Sequence, residues 1–368
     1  MSENFCYYQP VNIVFGKNKL EENLSKELGL LNAKRPFLVI DGYFVKSGLA
    51  DRLKNGLGIV GTFCEISPNP KTSEVQKAAE LLRQIKADCV IAIGGGSTLD
   101  TAKVAACLCL ESGDISEFFG TSKAFAAKLP TILCPTTSGT GSEVTKVAVL
   151  SNGAKKSPMA SELFFASAAV IDPALTYSMP PKSVAICALD ALCHALEGYY
   201  SKYHQPICDL YAMQAAKIIL ENVEAAYEKD EEALDMLSFA SNLAGLAFAI
   251  PKTAAPHGIS YALTTDFAMP HGEACAFTAD KVLLVNKSAE EKRLTDFAVF
   301  CGYSSVEALA AKIFSLKKEF GLKCTLKDAG IRLSDIPHLA RAAQNANTAN
   351  NPVEMTEELL TRLFISLQ

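Results

Sequence analysis

Hydrophobic positions in the first half of the chain come as short β-rich runs separated by stretches of helical period. Pro36-Phe37-Leu38-Val39-Ile40-Asp41 reads as a buried strand that ends in an acid. From Ser73 to Lys86, Val75, Ala78, Ala79, Leu82 and Ile85 fall at i, i+3, i+4, i+7 and i+10, which places them on one face of a helix. Cys89-Val90-Ile91-Ala92-Ile93 predicts a second buried strand, running into Gly94-Gly95-Gly96-Ser97 and a helix from Leu99 to Leu110. Thr131 to Pro135 and Ala168 to Asp172 read as further strands. This alternation predicts a mainly parallel sheet with helices on both faces. After Pro180-Pro181 the pattern turns helical: Lys182 to Tyr200, Ile207 to Tyr227, Glu231 to Phe248, Val306 to Phe320 and Glu357 to Ser366. The expected organisation is an α/β domain over residues 1–180 and an all-α domain over residues 181–368, against the alternative of one continuous α/β domain.

Composition narrows the function classes. A net charge of −5 without a long Lys/Arg run argues against nucleic acid or an anionic membrane as the main partner. The apolar stretches are broken well before membrane-spanning length, and Met1-Ser2-Glu3-Asn4-Phe5 lacks the basic flank and apolar run of a secretory signal. A cytoplasmic location is expected. The twelve cysteines form no Cys-x-x-Cys pair, and Cys89, Cys107, Cys109, Cys134 and Cys187 sit in apolar runs, so they read as reduced core residues.

Candidate chemistry is concentrated in the second half. Asp190 and His194 are four positions apart, one above the other on a helix face, and His257 and His271 follow in matching Pro-His-Gly contexts. Three of the chain's five histidines thus accompany one carboxylate, a suitable donor set for a divalent first-row metal. The plainer alternative is a local Asp190 contact and satisfied core histidines. His204, in Ser201-Lys202-Tyr203-His204-Gln205-Pro206, reads as a solvated helix end, with the alternative that it faces the cleft. In the first half, the strand–Gly94-Gly95-Gly96-Ser97–helix turn would let backbone N–H groups approach a pyrophosphate. Asp41, at a strand end, would accept from ribose hydroxyls and repel a 2′-phosphate, favouring NAD over NADP; it could equally be a turn former before Gly42. Pro135-Thr136-Thr137-Ser138-Gly139-Thr140-Gly141-Ser142-Glu143 is a second donor-rich loop, or else a connector.

Together these elements resemble the iron-containing (group III) alcohol dehydrogenase family over nearly the full length. They are Gly94-Gly95-Gly96-Ser97-x-x-Asp100-x-Ala102-Lys103, the Pro135–Glu143 loop, Asp172-Pro173, Asp190 to Tyr199, and the two Pro-His-Gly contexts. The resemblance implies a dehydroquinate synthase-like architecture: an N-terminal dinucleotide-binding α/β domain, a helical C-terminal domain and an active site in the cleft between them. It implies that Asp190, His194, His257 and His271 bind Fe²⁺ or Zn²⁺. Carried over by position, Asp41 contacts the adenosine ribose, Asn69 the adenine side, and Gly95, Gly96 and Ser97 the pyrophosphate. Thr136, Thr137, Thr140, Thr145 and Lys156 line the rest of the dinucleotide site, with Leu175 and Met179 near the nicotinamide end. Two positions depart from the family pattern: Cys187 replaces a usual small residue, and Tyr261 stands where many members have a second histidine.

The expected function is a metal-dependent, NAD(P)-linked alcohol dehydrogenase or aldehyde reductase, acting on a small aldehyde or primary alcohol as a homodimer, with Tyr261 a possible proton-relay group. The segment from His257 to Thr264 resembles the branch containing phosphonoacetaldehyde reductases, which would make phosphonoacetaldehyde the substrate and 2-hydroxyethylphosphonate the product. Lys202 and Lys252 are candidates for holding the anionic head, or ordinary surface lysines. The alternatives are a dehydroquinate synthase-like lyase using NAD as a transient catalyst, and a non-catalytic metal- or nucleotide-binding relative.

Overall fold

The computed structural model describes residues 4–119, 123–153 and 155–368. Eight strands occur among them: β1 (Asn12–Phe15), β2 (Pro36–Ile40), β3 (Gly61–Phe63), β4 (Cys89–Gly94), β5 (Thr131–Pro135), β6 (Val147–Asn152), β7 (Lys155–Ala160) and β8 (Ala168–Ile171). Six form one parallel sheet of order β1-β8-β5-β4-β2-β3, while β6 and β7 pair as a separate antiparallel hairpin. Every residue of β2, β4, β5 and β8 is buried, which is why these strands read as unbroken hydrophobic runs. Edge strand β1 leaves Ile13 and Phe15 exposed, and with four residues it has no pattern by which to be recognised.

The sheet's helices are α1 (Leu20–Leu30), α2 (Gly42–Lys46), α3 (Leu49–Leu57), α4 (Thr72–Ile85) and α5 (Gly96–Leu108). Leu24, Leu28, Leu49 and Leu53 pack on Leu38, Ile40, Ile91 and Ile93 to form a core on one face of the sheet. Helix α5 begins at Gly96, three residues before the hydrophobic period, because the glycine turn itself forms its first turn. Strands and helices together make the N-terminal compact unit, Tyr8–Thr137 plus Gly141–Tyr177.

The other unit comprises Ser178–Gln368 with the chain up to Tyr7 and Ser138–Thr140. Its helices are α6 (Pro181–Tyr200), α7 (Pro206–Tyr227), α8 (Glu231–Phe248), α9 (Ala255–Phe267), α10 (His271–Phe300), α11 (Val306–Glu319), α12 (Ile336–Ala342), α13 (Ala346–Ala349) and α14 (Glu357–Ile365). The five helices expected here form with ends shifted by at most one residue. Helices α9 and α10 were hidden from a reading by period because each begins at a Pro-His-Gly sequence, which resembles a turn. A buried ion pair between Lys317 and Asp280, with Lys317 Nζ also donating to the Phe277 carbonyl at 3.1 Å, ties α11 to α10. Among the described residues no helix is long and apolar enough to cross a membrane, and all twelve cysteines are free thiols. Cys89, Cys107, Cys109 and Cys134 are core residues; Cys187 is only half-buried.

Candidate metal centre and dinucleotide site

Three helices of the C-terminal unit bring chemistry-bearing side chains to one point. Helix α6 carries Asp190 and, one turn later, His194; α9 supplies His257 in its first turn and α10 supplies His271 as its first residue. Donor atoms of Asp190, His257, His271 and Cys275 all lie within 4.8 Å of one another. His194 stands beside this group, with its ring 4.4 Å from that of His257 and stacked on Phe248 at 4.1 Å. Close approach of α10 to α6 sets the geometry. A Cβ on Gly272 would lie 2.5 Å from the Ile186 carbonyl oxygen and 2.9 Å from Asp190 Cβ, so only glycine lets His271 sit over Asp190.

Hydrogen bonds around the imidazoles select one tautomer. Glu197, fully buried on α6, accepts from His257 Nδ1 at 2.5 Å through Oε1, and from the backbone N–H groups of Ala254 (2.5 Å) and His257 (3.3 Å) through Oε2. A carboxylate only accepts, so Nδ1 carries the proton and Nε2 presents its lone pair. His194 Nδ1 donates to the Gly139 carbonyl at 3.2 Å, with the same consequence. His271 Nδ1 faces Ser260 Oγ at 3.5 Å, and that hydroxyl donates to the His257 carbonyl at 2.8 Å. Burial pushes the His194 imidazole well below its ordinary pKa; the neighbouring His257 and His271 push it the same way and the Gly139 carbonyl opposes them. The site therefore favours neutral imidazole, the form that binds metals.

The donor set fits a divalent ion. His257 Nε2 and Asp190 Oδ1 face each other at 3.6 Å, too long for a hydrogen bond. Two donors held about 2.0–2.1 Å from one ion at a tetrahedral angle stand about 3.4 Å apart, which is close to this spacing. Glu197, Gly139, Ser260 and Cys275 were not singled out from the sequence. Glu197 lies in the same helical motif as Asp190 and His194, and Cys275 is one turn after His271. Only the fold brings Gly139 to α6, where a Cβ on it would lie 3.0 Å from Cys187 Cβ.

In the N-terminal unit, Gly95 is the N-cap of α5 and Gly96 and Ser97 form its first turn, with backbone N–H groups and the positive end of the helix dipole at the carboxyl end of β4. Thr136 lies at the end of β5, its N–H donating to the Gly94 carbonyl at 3.0 Å, and a Cβ on Gly95 would touch Thr137 at 3.4 Å. Asp41 ends β2 and caps α2, with Oδ1 accepting from the Tyr43 N–H at 2.8 Å. Asn69 is exposed, with a left-handed φ of 58°, and its carbonyl accepts from Ser151 Oγ at 3.1 Å. Lys156 lies on β7 opposite Ser151, and Leu175 lies in a short helical turn at Pro173–Thr176. Buried Thr145 accepts from Lys103 Nζ at 3.3 Å; that ammonium also donates to Ser142 Oγ at 2.7 Å and to the Val147 carbonyl at 3.0 Å. Burial pulls the Lys103 pKa down to about 8, opposed by Asp100 and Glu143. Thr140 and Met179 belong to the C-terminal unit, where the Met179 carbonyl accepts from Lys229 at 2.6 Å.

Tyr261 lies one turn after His257 on α9, and its hydroxyl accepts from Asn347 Nδ2 at 3.0 Å. Burial raises its pKa, opposed by the Asn347 hydrogen bond, so the phenol stays protonated. Lys202 and Lys252 are exposed, and Lys202 Nζ donates to the Ala349 carbonyl at 2.8 Å. The other two histidines are outside this cluster and contact carboxylates, His204 Nδ1 with Asp209 at 3.2 Å and His338 Nε2 with Asp266 at 2.8 Å.

The model of the iron-containing alcohol dehydrogenases matches residues 10–173, and that of the family's C-terminal part matches residues 184–367. Long-chain-alcohol dehydrogenase 1 of Geobacillus thermodenitrificans is 34% identical over 362 residues, covering 93% of this chain and 92% of its own length. Sulfoacetaldehyde reductase of Bilophila wadsworthia is 31% identical over 381 residues, with 98% of each chain covered. Among solved structures, sulfoacetaldehyde reductase from Bifidobacterium kashiwanohense in complex with NAD⁺ superposes with a TM-score of 0.96 at 41% identity, covering 100% of this chain and 99% of that one. A 1,3-propanediol oxidoreductase gives 0.94 at 29% identity, covering 100% of each chain. The chain belongs to the iron-containing alcohol dehydrogenase family. It is a metal-dependent, NAD(P)-linked alcohol dehydrogenase or aldehyde reductase with the dehydroquinate synthase-like fold.

Glu197→Gln tests the hydrogen bonding around the centre. The amide keeps the size of the side chain but loses the charge that holds the His257 tautomer. Metal affinity measured by chelator competition is expected to fall about 10–100-fold, with the helical circular dichroism retained. Unchanged affinity would reduce Glu197 to a cap on the α9 backbone.

Proposed function

We propose that the chain reduces a small aldehyde bearing an anionic head, using NADH, at a centre where Asp190, His194, His257 and His271 hold one divalent ion. The observation that carries this reading is the convergence of Asp190, His257 and His271 donor atoms from three helices, with Nδ1 of His257 engaged by Glu197 so that its Nε2 is the nitrogen left for a metal. An ion bound there supplies Lewis-acid polarisation of the carbonyl oxygen. The chain's own residues then orient, exclude water and hold a proton. Tyr261 takes the place of the family's second histidine: it accepts the Asn347 N–H and keeps its own proton to donate toward the substrate oxygen.

On this reading residues 1–180 hold the dinucleotide and residues 181–368 the metal. The pyrophosphate lies against Gly95, Gly96 and Ser97 at the α5 N-terminus, and Thr136, Thr137, Thr140, Thr145, Lys156, Leu175 and Met179 line the remainder, with Asn69 at the adenine side. Asp41 employs Oδ1 to cap α2, and Oδ2 is the oxygen for the ribose hydroxyls. Free thiols throughout suit a reducing cytoplasm. The exposed Tyr8, Ile13 and Phe15 along edge strand β1 give a homodimer an apolar surface to cover.

The anionic head is supported by the names of two relatives, both sulfoacetaldehyde reductases. A sulfonate and a phosphonate share a tetrahedral anionic group on a two-carbon aldehyde, so the phosphonate expected from the segment His257 to Thr264 is one member of the class and the sulfonate the other. Both are to be compared with propanal by kcat/KM. An advantage of tenfold or more for either anionic aldehyde, about 1.4 kcal/mol in the transition state, is expected; parity or a preference for propanal would return the chain to the general alcohol dehydrogenases. For the cofactor, Asp41→Gly is expected to raise the NADPH/NADH ratio of kcat/KM by about tenfold, since it removes a carboxylate from the place of the 2′-phosphate. A wild type that already prefers NADPH would contradict that role.

A further inference from the structure

One turn beyond the glycines at the start of α5, Asp100 and Lys103 stand three positions apart on one helix face, with Nζ 3.8 Å from Asp100 Oδ1. Ser142 bridges them: its Oγ donates to Asp100 Oδ1 at 2.6 Å and accepts from Lys103 Nζ at 2.7 Å. The same two side chains reach the chain that follows. Asp100 Oδ2 accepts from the Val149 N–H at 2.8 Å, and Lys103 Nζ donates to Thr145 Oγ1 at 3.3 Å and to the Val147 carbonyl at 3.0 Å. Strand β6 is joined in turn to the segment before α4: the Ser151 N–H donates to the Pro70 carbonyl at 2.7 Å and its Oγ to the Asn69 carbonyl at 3.1 Å. An ammonium has three N–H bonds, and Ser142, Thr145 and Val147 take all three of this buried one. Lys103 therefore has no donor left for a ligand, yet it joins α5 to segments that carry Thr145, Lys156 and Asn69.

We propose that Asp100, Lys103 and Ser142 are positioning residues of the dinucleotide site. They hold Thr145 and the β6–β7 hairpin in register with the N-terminus of α5, so that cofactor affinity depends on a network that does not touch the cofactor. The proposal rests on the reading that Gly95, Gly96 and Ser97 hold the pyrophosphate and that Asn69, Thr145 and Lys156 line the same site. With the network cut, the loop and hairpin would have to be ordered by the cofactor as it binds, which weakens binding. Once the cofactor is bound the loop is in place again, so the loss falls on affinity rather than on turnover. A pair that only supported the fold would lower stability and leave cofactor affinity alone.

NADH binding to the metal-loaded full chain, followed by nicotinamide fluorescence, tests this in the wild type, Ser142→Ala, Lys103→Met and the double variant. Asp41→Gly serves as the control for the site, and circular dichroism verifies that each protein is folded. Kd and KM for NADH are expected to rise about tenfold in each single variant, while kcat at saturating NADH stays within about threefold. Because Ser142 and Lys103 act through one network, the double variant should bind NADH within about threefold of the weaker single; two independent contacts with the cofactor would multiply to about a hundredfold. Ser142→Ala removes a single oxygen, so it decides the question alone if Lys103→Met does not fold. An unchanged Kd in folded Ser142→Ala, an effect confined to kcat, or multiplied losses in the double variant overturns the positioning role and leaves the dinucleotide reading standing. Failure of Asp41→Gly to shift the NADPH/NADH ratio overturns the site reading itself.

Discussion

The buried carboxylate of Glu197 is the constraint on which the C-terminal unit's chemistry depends. It reaches from α6 to the start of α9, where it accepts two backbone N–H groups that the helix cannot satisfy itself and the Nδ1 proton of His257. One side chain thereby fixes the entry of α9, the rotamer of His257 and its tautomer. Glycine contacts do the same work sterically: Gly272 lets α10 lie against α6, and Gly139 brings a carbonyl to His194. The site is held by packing and hydrogen bonds beyond its donor atoms, as metal sites require.

Charge gives the second constraint. Asp190 and Glu197 are both buried, and burial together with the neighbouring rings holds His194 neutral. Two buried carboxylates among neutral imidazoles are costly alone, and a divalent cation balances both. In the N-terminal unit the corresponding cost is met within the protein: buried Lys103 lies 3.8 Å from Asp100, and both bond to Ser142, fixing the donor-rich loop to α5. The Lys103 contact accounts for the buried state of Ser142 and Thr145 in a loop that composition alone presents as polar.

What the sequence made legible follows from the range of the interactions involved. Strands β2, β4, β5 and β8 announced themselves because burial on both faces demands continuous apolar runs, and Asp190 with His194 because a helical turn makes four-residue spacing meaningful. Strand β6 alternates half-exposed with buried residues over only its first five positions, residues 156–160 of β7 include no buried residue, and β1 is an exposed edge. Glu197 and Gly139 act on histidines 60 and 55 positions away in the chain, so no local pattern could link them. Asp41 is both a helix cap and, on the proposed reading, a ribose contact; the first role was the plain alternative, and the second uses its other oxygen.

The central claim is that one divalent ion is held by residues of α6, α9 and α10. Elemental analysis of the purified chain after reconstitution tests it most directly, run on the wild type, Asp190→Ala and His257→Ala, with circular dichroism to verify that each is folded. One equivalent of metal per chain in the wild type, lost from both folded variants, is the predicted result. Equal metal content in all three would contradict the account.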